Sequence, residues 1–182
     1  MIRKYALFKV FEFLRLSDED ESIRSLSRKA KVGVATAKRC FDYLLEKKIV
    51  KRKIIGKTYQ FRLDTDNILT KQLKISMSIA EINAASLVEE LTSLYPNITS
   101  IILFGSTATG TDDSKSDIDI LIIYQKDIKM VPLKAEKIMK RELSVIKYSY
   151  QDWRKKAESD KPFYDNIIVE GIPLYGETPM VK

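Results

Sequence analysis

The chain has 182 residues, 45% of them hydrophobic, with no His and a single cysteine, Cys40. That is enough for one or two packed domains, and it excludes an internal disulfide, zinc sites built from Cys and His, and catalysis that needs a His base. The formal charge of +7 is unevenly placed: residues 1–66 carry 17 Lys+Arg against 9 Asp+Glu, while residues 67–182 carry 15 against 16.

That asymmetry points to a nucleic-acid-facing segment joined to a near-neutral one, with a lysine-rich solvated surface as the plainer alternative. The opening "MIRKYALFKVFEFLRLS" is basic and then apolar, but Lys9 and Glu12 interrupt it, so it makes a poor signal peptide. No later run reaches the length of a membrane span. A cytoplasmic chain with no membrane partner is expected.

Apolar positions at Tyr5, Phe8, Val10 or Phe11, and Leu14 predict an amphipathic helix over residues 2–16. "SDEDES" breaks it and supplies Asp and Ser caps for a second helix, Ser22 to Ala30. Gly33 in "KVGV" is expected in a tight turn at positive φ. A third helix, from Ala35 to Lys47, turns Ala37, Phe41, Leu44 and Leu45 inward, and "IVKRKIIGKTYQFRLD" reads as a β-hairpin around Gly56-Lys57.

Helix, short helix, Gly-containing turn, helix and basic hairpin follow in this order, and "SIRSLSRKAKVGVATAKRCFDYLLEKKIVKRKIIGKTYQFRL" resembles the winged helix-turn-helix family. The resemblance implies that the helix carrying Thr36, Lys38 and Arg39 enters the major groove of double-stranded DNA. The hairpin with Lys51, Arg52, Lys53 and Lys57 would then follow the backbone or minor groove. Lys and Arg on such elements neutralise phosphates and release counterions, so affinity should fall steeply with salt. Many winged helices are instead protein-protein or dimerisation modules, and that alternative stays open.

From residue 67 to 95 a helical pattern runs through Leu69, Leu73, Met77, Ala80, Ala84, Leu87, Leu91 and Leu94, with a break expected near Ser76–Ser78 and an end at Pro96-Asn97. Core packing explains the stripe most simply; a dimerisation helix is the alternative. Next come a strand, "SIILF", a polar loop, a second strand, "IDILIIY", and a helix starting near Pro132. A third strand, "LSVIKYSY", precedes two short helices, "QDWRKKAES" and "PFYDNIIVE", and the tail "GIPLYGE". The order predicts an α/β (α+β) chain with a small mixed sheet of at least three strands. The expected domains are a winged helix over 1–66, connecting helices over 67–96 and a second domain over 97–182.

The chemistry is concentrated in "LFGSTATGTDDSKSDIDILII", residues 103–123. Asp117 and Asp119, two apart on a strand, share a face, while Ile118 and Ile120 point into the core. Neighbouring carboxylates repel unless a cation lies between them, and a hard divalent ion with oxygen ligands suits the pair. Gly105 and Ser106, where a strand meets a helix, would let a triphosphate approach backbone N–H groups. Asp112 and Asp113 in the loop are expected to be solvated. Cys40 reads as a packing residue, and Trp153 with Tyr148, Tyr150 and Tyr164 as the core and rim of a small domain.

An apolar strand, Gly-Ser, ten residues between Ser106 and Asp117, and then Asp-x-Asp resemble the nucleotidyltransferase superfamily of DNA polymerase β, particularly its minimal prokaryotic members. The tail "IIVEGIPLYGE" is similar to the way such domains end, and the likeness covers roughly residues 80–176. It implies Mg2+- or Mn2+-dependent transfer of a nucleoside monophosphate from an NTP, ATP foremost, to a hydroxyl. Asp117 and Asp119 would be catalytic and metal-binding, and Gly105 and Ser106 nucleotide-binding.

Two positions depart from the family pattern. Thr109 stands where an Arg usually precedes the second glycine, and Ser144 falls where active members place a third carboxylate; Glu142, two residues earlier, is a candidate substitute. A serine hydroxyl is a poor metal ligand and a negligible base. "YSYQDWRKKA" is also similar to segments of winged-helix proteins fused to nucleotidyltransferase-like domains, many of which lack the third acid. Three functional readings follow: a transferase acting on an unidentified, perhaps protein, acceptor; a transcriptional regulator that senses nucleotide or holds a partner; and the antitoxin of a toxin-antitoxin pair. A homodimer would suit a two-fold DNA site.

Overall fold

In a computed structural model that describes residues 5–17, 19–126, 129, 131–139 and 141–181, the chain divides into two units, 1–74 and 75–182. The first positions of the helix expected at 2–16, and Asp18 of the capping segment, lie outside the described residues.

In the first unit, α1 (Ala6–Arg15) buries Val10, Phe11 and Leu14. The Ser22 hydroxyl accepts from the Ser25 N–H and so caps α2 (Ile23–Ala30). The turn after α2 departs from expectation: Gly33 has φ −63 as the N-cap of α3 (Val34–Glu46), and Lys31 takes the left-handed conformation instead, at φ 52. Two hydrogen bonds close the end of α2 around it, from Lys31 N–H to the Arg28 carbonyl and from Val32 N–H to the Ser27 carbonyl, both near 3 Å.

Helix α3 buries Ala37, Cys40, Phe41 and Leu44. Strands β2 (Val50–Ile55) and β3 (Thr58–Leu63) form the predicted hairpin, with Gly56 at φ +60 in its turn. Phe41 stacks on Phe61 of β3 with ring centroids 4.2 Å apart, which ties the hairpin to the helices. A two-residue strand, β1 (Glu21–Ser22), pairs with β3 and completes the sheet order β1-β3-β2.

Helix α4 (Ile68–Ala84) runs unbroken through Ser76–Ser78, where a break was expected. The interruption comes at Ser86, whose left-handed φ of 54 precedes α5 (Leu87–Leu94). In the second unit follow β4 (Ile98–Phe104), α6 (Gly105–Thr109), β5 (Ile118–Tyr124) and α7 (Lys134–Ile138). The chain continues with β6 (Leu143–Ser149), α8 (Tyr150–Ser159), α9 (Lys161–Glu170) and β7 (Ile172–Tyr175).

The sheet order is β6-β5-β4-β7, with β5 and β6 parallel and the other pairs antiparallel. The expected small mixed sheet is therefore present, and the tail supplies its fourth strand. The central strands are apolar on both faces because both faces are covered. Leu87 and Leu91 of α5 pack with Ile101, Leu103, Ile118, Ile120 and Ile122 on one side. Trp153 of α8 and Ile167 of α9 pack with Ile102, Phe104, Leu121 and Ile123 on the other. The Trp153 indole N–H donates to the Pro179 carbonyl at 2.6 Å, so this buried aromatic is core, as its sequence context suggested.

Candidate active site

The strand ends bring Gly105 and the two aspartates together. Phe104, the last residue of β4, pairs with Asp119 in the antiparallel register, so the chain turns into α6 directly beside the Asp119 carboxylate. Gly105 makes that turn at φ +70, and a Cβ placed on it would lie 2.4 Å from Asp119 Oδ2. Glycine is required twice here, by the dihedral and by the carboxylate. Ile118 and Ile120 are fully buried, whereas Asp119 is half-buried and Asp117, just ahead of the strand, is exposed. Asp117 thus stands one residue outside β5, close enough for its charge to act on Asp119.

Burial pushes the Asp119 carboxyl above its ordinary value, opposed by a hydrogen bond from the Ser144 hydroxyl and reinforced by the negative charge of Asp117. Such a pair fits a hard divalent cation, which would offset both the burial and the repulsion. The fit is that of a two-acid site. Ser144 stands opposite Asp119 in the parallel register, so the serine does occupy the position beside the strand where a third acid was sought. Glu142 is exposed and precedes β6, where its carbonyl accepts from the Ile118 N–H at 2.9 Å. It does not complete a cluster: among the described residues no three Asp, Glu, His or Cys side chains gather as a metal group. A cation held here would draw its other ligands from phosphate and water, as magnesium commonly does.

Ser106 follows Gly105 in the first turn of α6, where no side chain caps the helix. Its carbonyl accepts from Thr111 N–H at 3.0 Å and from Asp112 N–H at 3.2 Å, which folds the polar loop back over the glycine-serine corner. Thr109 takes part in the same closure, its hydroxyl within 3.2 Å of the Ser106 carbonyl and 2.9 Å of the Thr111 hydroxyl.

Residues 86–179, just over half of the chain, match the family model described as polymerase beta, nucleotidyltransferase. The chain belongs to the polymerase β nucleotidyltransferase family. A crystal structure of a candidate nucleotidyltransferase from Sulfolobus solfataricus is 20% identical over 59% of this chain and 87% of its own, with a TM-score of 0.36. None of the curated proteins compared with the chain is significantly similar to it.

Within the nucleotidyltransferase domain the loop holds a group that the sequence reading misplaced. Asp112 is not solvated but 4% exposed, and its Oδ2 lies 2.6 Å from Arg141 Nη1. The Arg141 guanidinium also reaches the Ser78 hydroxyl at 2.9 Å, the Thr107 hydroxyl at 3.4 Å and Glu81 Oε2 at 3.7 Å. A charge buried this deeply needs such partners. Asp113, next in sequence, is exposed as expected and closes a local turn with Ser116 and Lys115. Nothing local distinguishes the two aspartates; the partner that selects Asp112 lies 29 residues away.

The basic residues singled out in the first unit are at its surface. Lys38 and Arg39 are exposed on α3 and Thr36 is partly covered. Lys38 bonds Asp42 one turn on, at 2.7 Å. On the hairpin, the register places Lys51 and Lys53 on one face with Arg62, an exposed cation that the sequence reading passed over. Arg52 lies on the opposite face, stacked over the Tyr59 ring at 4.6 Å, and Lys57 is exposed in the turn. Lys51 pairs with Asp64 at 2.8 Å and Lys53 approaches Asp20 at 4.0 Å. Pairs whose lysine stands largely in solvent contribute little to stability.

Among the described residues no helix is long and apolar enough to cross a membrane.

Proposed function

We propose that the nucleotidyltransferase domain binds a nucleoside triphosphate, ATP foremost, with Mg2+ or Mn2+, and transfers its nucleoside monophosphate to a hydroxyl. The N-terminal unit, read as a winged helix-turn-helix, would bring it to double-stranded DNA. The observation that carries the first part is the packing of the Asp119 carboxylate against Gly105, with the charge of Asp117 near enough to act on it.

Asp117 and Asp119 would hold the cation, and Gly105 and Ser106 would leave room for the phosphates. When bound, the cation supplies charge neutralisation for the triphosphate and the departing pyrophosphate. In the transfer an acceptor oxygen forms a bond to the α-phosphorus as the bond to pyrophosphate breaks, and the acceptor proton passes to solvent. The Ser144 hydroxyl orients Asp119 by donating to it but takes up no proton. Transfer therefore proceeds without a third carboxylate as base and is expected to be slow.

That same serine favours a second reading. With no base beside Asp119, the domain could hold nucleotide without turnover and act as the sensing half of a DNA-binding regulator. An acceptor on a partner protein, including a toxin to which this chain is the antitoxin, and a homodimer on a two-fold DNA site are compatible with either reading.

Incubation of the full chain with each α-phosphate-tagged NTP, Mg2+ or Mn2+ and candidate protein acceptors tests the proposal. Label should appear with the wild type and vanish in Asp117→Ala; label that survives the substitution refutes the assignment. Mn2+-dependent ATP binding with no label would establish the second reading.

A further inference from the structure

Arg141 is absent from the residues that would touch nucleotide, yet it is buried where three parts of the site meet. Its side chain is 3% exposed, and its guanidinium bonds Asp112 in the loop, Thr107 in α6 and Ser78 in α4, with Glu81 at 3.7 Å. From there two short routes lead to the site. The Thr107 hydroxyl, which accepts from Arg141, donates to the Asp117 carbonyl at 3.0 Å. Asp112, whose side chain Arg141 grips, donates its backbone N–H to the Ser106 carbonyl. Arg141 also lies immediately before Glu142, whose carbonyl accepts from Ile118 between the two aspartates.

We infer that Arg141 is the positioning residue of the two-carboxylate corner, clamping the loop 105–112 and the start of β5 in the arrangement that receives the metal-nucleotide. The inference rests on the proposed nucleotide reading for its functional consequence, but its structural half stands separately. A guanidinium fork suits the task because its donors point in fixed directions and can bond Asp112, Thr107 and Ser78 together. A lysine could keep the charge contact with Asp112 while losing the others.

The experiment compares the full-length wild type with Arg141→Met, Arg141→Lys and Thr107→Val, reading amide hydrogen exchange and Mn2+-ATP affinity on each. In Arg141→Met the amides of Thr111, Asp112 and Ile118 should exchange at least tenfold faster while the β4–β5 ladder keeps its protection. Affinity should fall at least tenfold, and Arg141→Lys should recover part of both losses. A residue that merely stabilised the fold would accelerate exchange throughout and leave the local pattern unchanged. Thr107→Val removes the link from Arg141 to Asp117 while leaving the Arg141–Asp112 contact, and serves if Arg141→Met does not fold; faster exchange at Ile118 and a threefold or greater loss of affinity are then expected. Wild-type protection of the loop amides in the folded variants would overturn the inference. Failure of the wild type to bind Mn2+-ATP would sink the nucleotide reading instead, and the exchange pattern would still decide whether Arg141 orders the loop.

Discussion

Ser144 stands across from Asp119 in the parallel pair of β5 and β6, and its hydroxyl donates to the Asp119 carboxylate. The third position of the site is therefore filled by a donor rather than by a charge.

Ser144→Asp should convert that donor into a third carboxylate. Without metal the added charge repels Asp119, and the melting temperature should drop. With Mn2+ the order should reverse: about tenfold tighter binding corresponds to about 1.4 kcal/mol of extra stabilisation by ligand. Thermal melts with and without Mn2+ check this, and an equal metal-induced shift in variant and wild type would count against a cation site at Asp119.

Gly105→Ala tests the corner from the other strand. The new Cβ would meet Asp119 Oδ2 at 2.4 Å and hold a left-handed φ of +70. The backbone alone costs about 1–2 kcal/mol, and the carboxylate must also move. Mn2+-ATP affinity should fall by an order of magnitude or more by calorimetric titration. A variant that binds as the wild type does would show that the close approach of Gly105 and Asp119 has no part in binding.

Asp112 and Asp113 should separate sharply. Asp112→Ala leaves the Arg141 charge buried without its closest partner, a loss of about 3–5 kcal/mol. Asp113→Ala removes an exposed turn contact and should leave the urea melting curve close to that of the wild type. Equal effects would contradict the buried pairing of Asp112 with Arg141.

The first unit carries its own pH dependence. Burial raises the Glu21 carboxyl, but hydrogen bonds from Lys29, Ser25 and Ser17 and the Lys29 charge outweigh it and hold it below the ordinary glutamate value. A carboxyl lowered in the folded state adds stability that is present above its unfolded pKa and is lost as pH falls through the folded one. Exchange protection of α2 should decline with acid below the ordinary glutamate range in the wild type, and much less in Glu21→Gln. Parallel declines would rule Glu21 out as the cause.

How much was legible beforehand follows from the range of each signal. The helix α3 and the hairpin β2–β3 are local periodicities, and the Gly105-Ser106 and Asp117-x-Asp119 pairs lie within one strand-loop-strand. Ser144 was picked out by the family pattern, and only the parallel pairing of β5 and β6 sets it opposite Asp119. The errors are non-local. Ser76–Ser78 looked like a helix break because serine is a weak helix former, but Ser78 is buried and bonded to Arg141, 63 residues on. Gly33 drew the positive φ by residue type, while the closing bonds of α2 put it on Lys31. Strand β1 exists only through its pairing with β3, and two residues leave no period to read.

Mn2+ bound in the presence of ATP, measured by electron paramagnetic resonance on the full chain, tests the two-carboxylate corner most directly. The wild type should immobilise Mn2+ only with nucleotide present, and Asp119→Ala should leave the metal signal as free Mn2+-ATP. Equal immobilisation by the wild type and Asp119→Ala would mean that the nucleotide is held elsewhere.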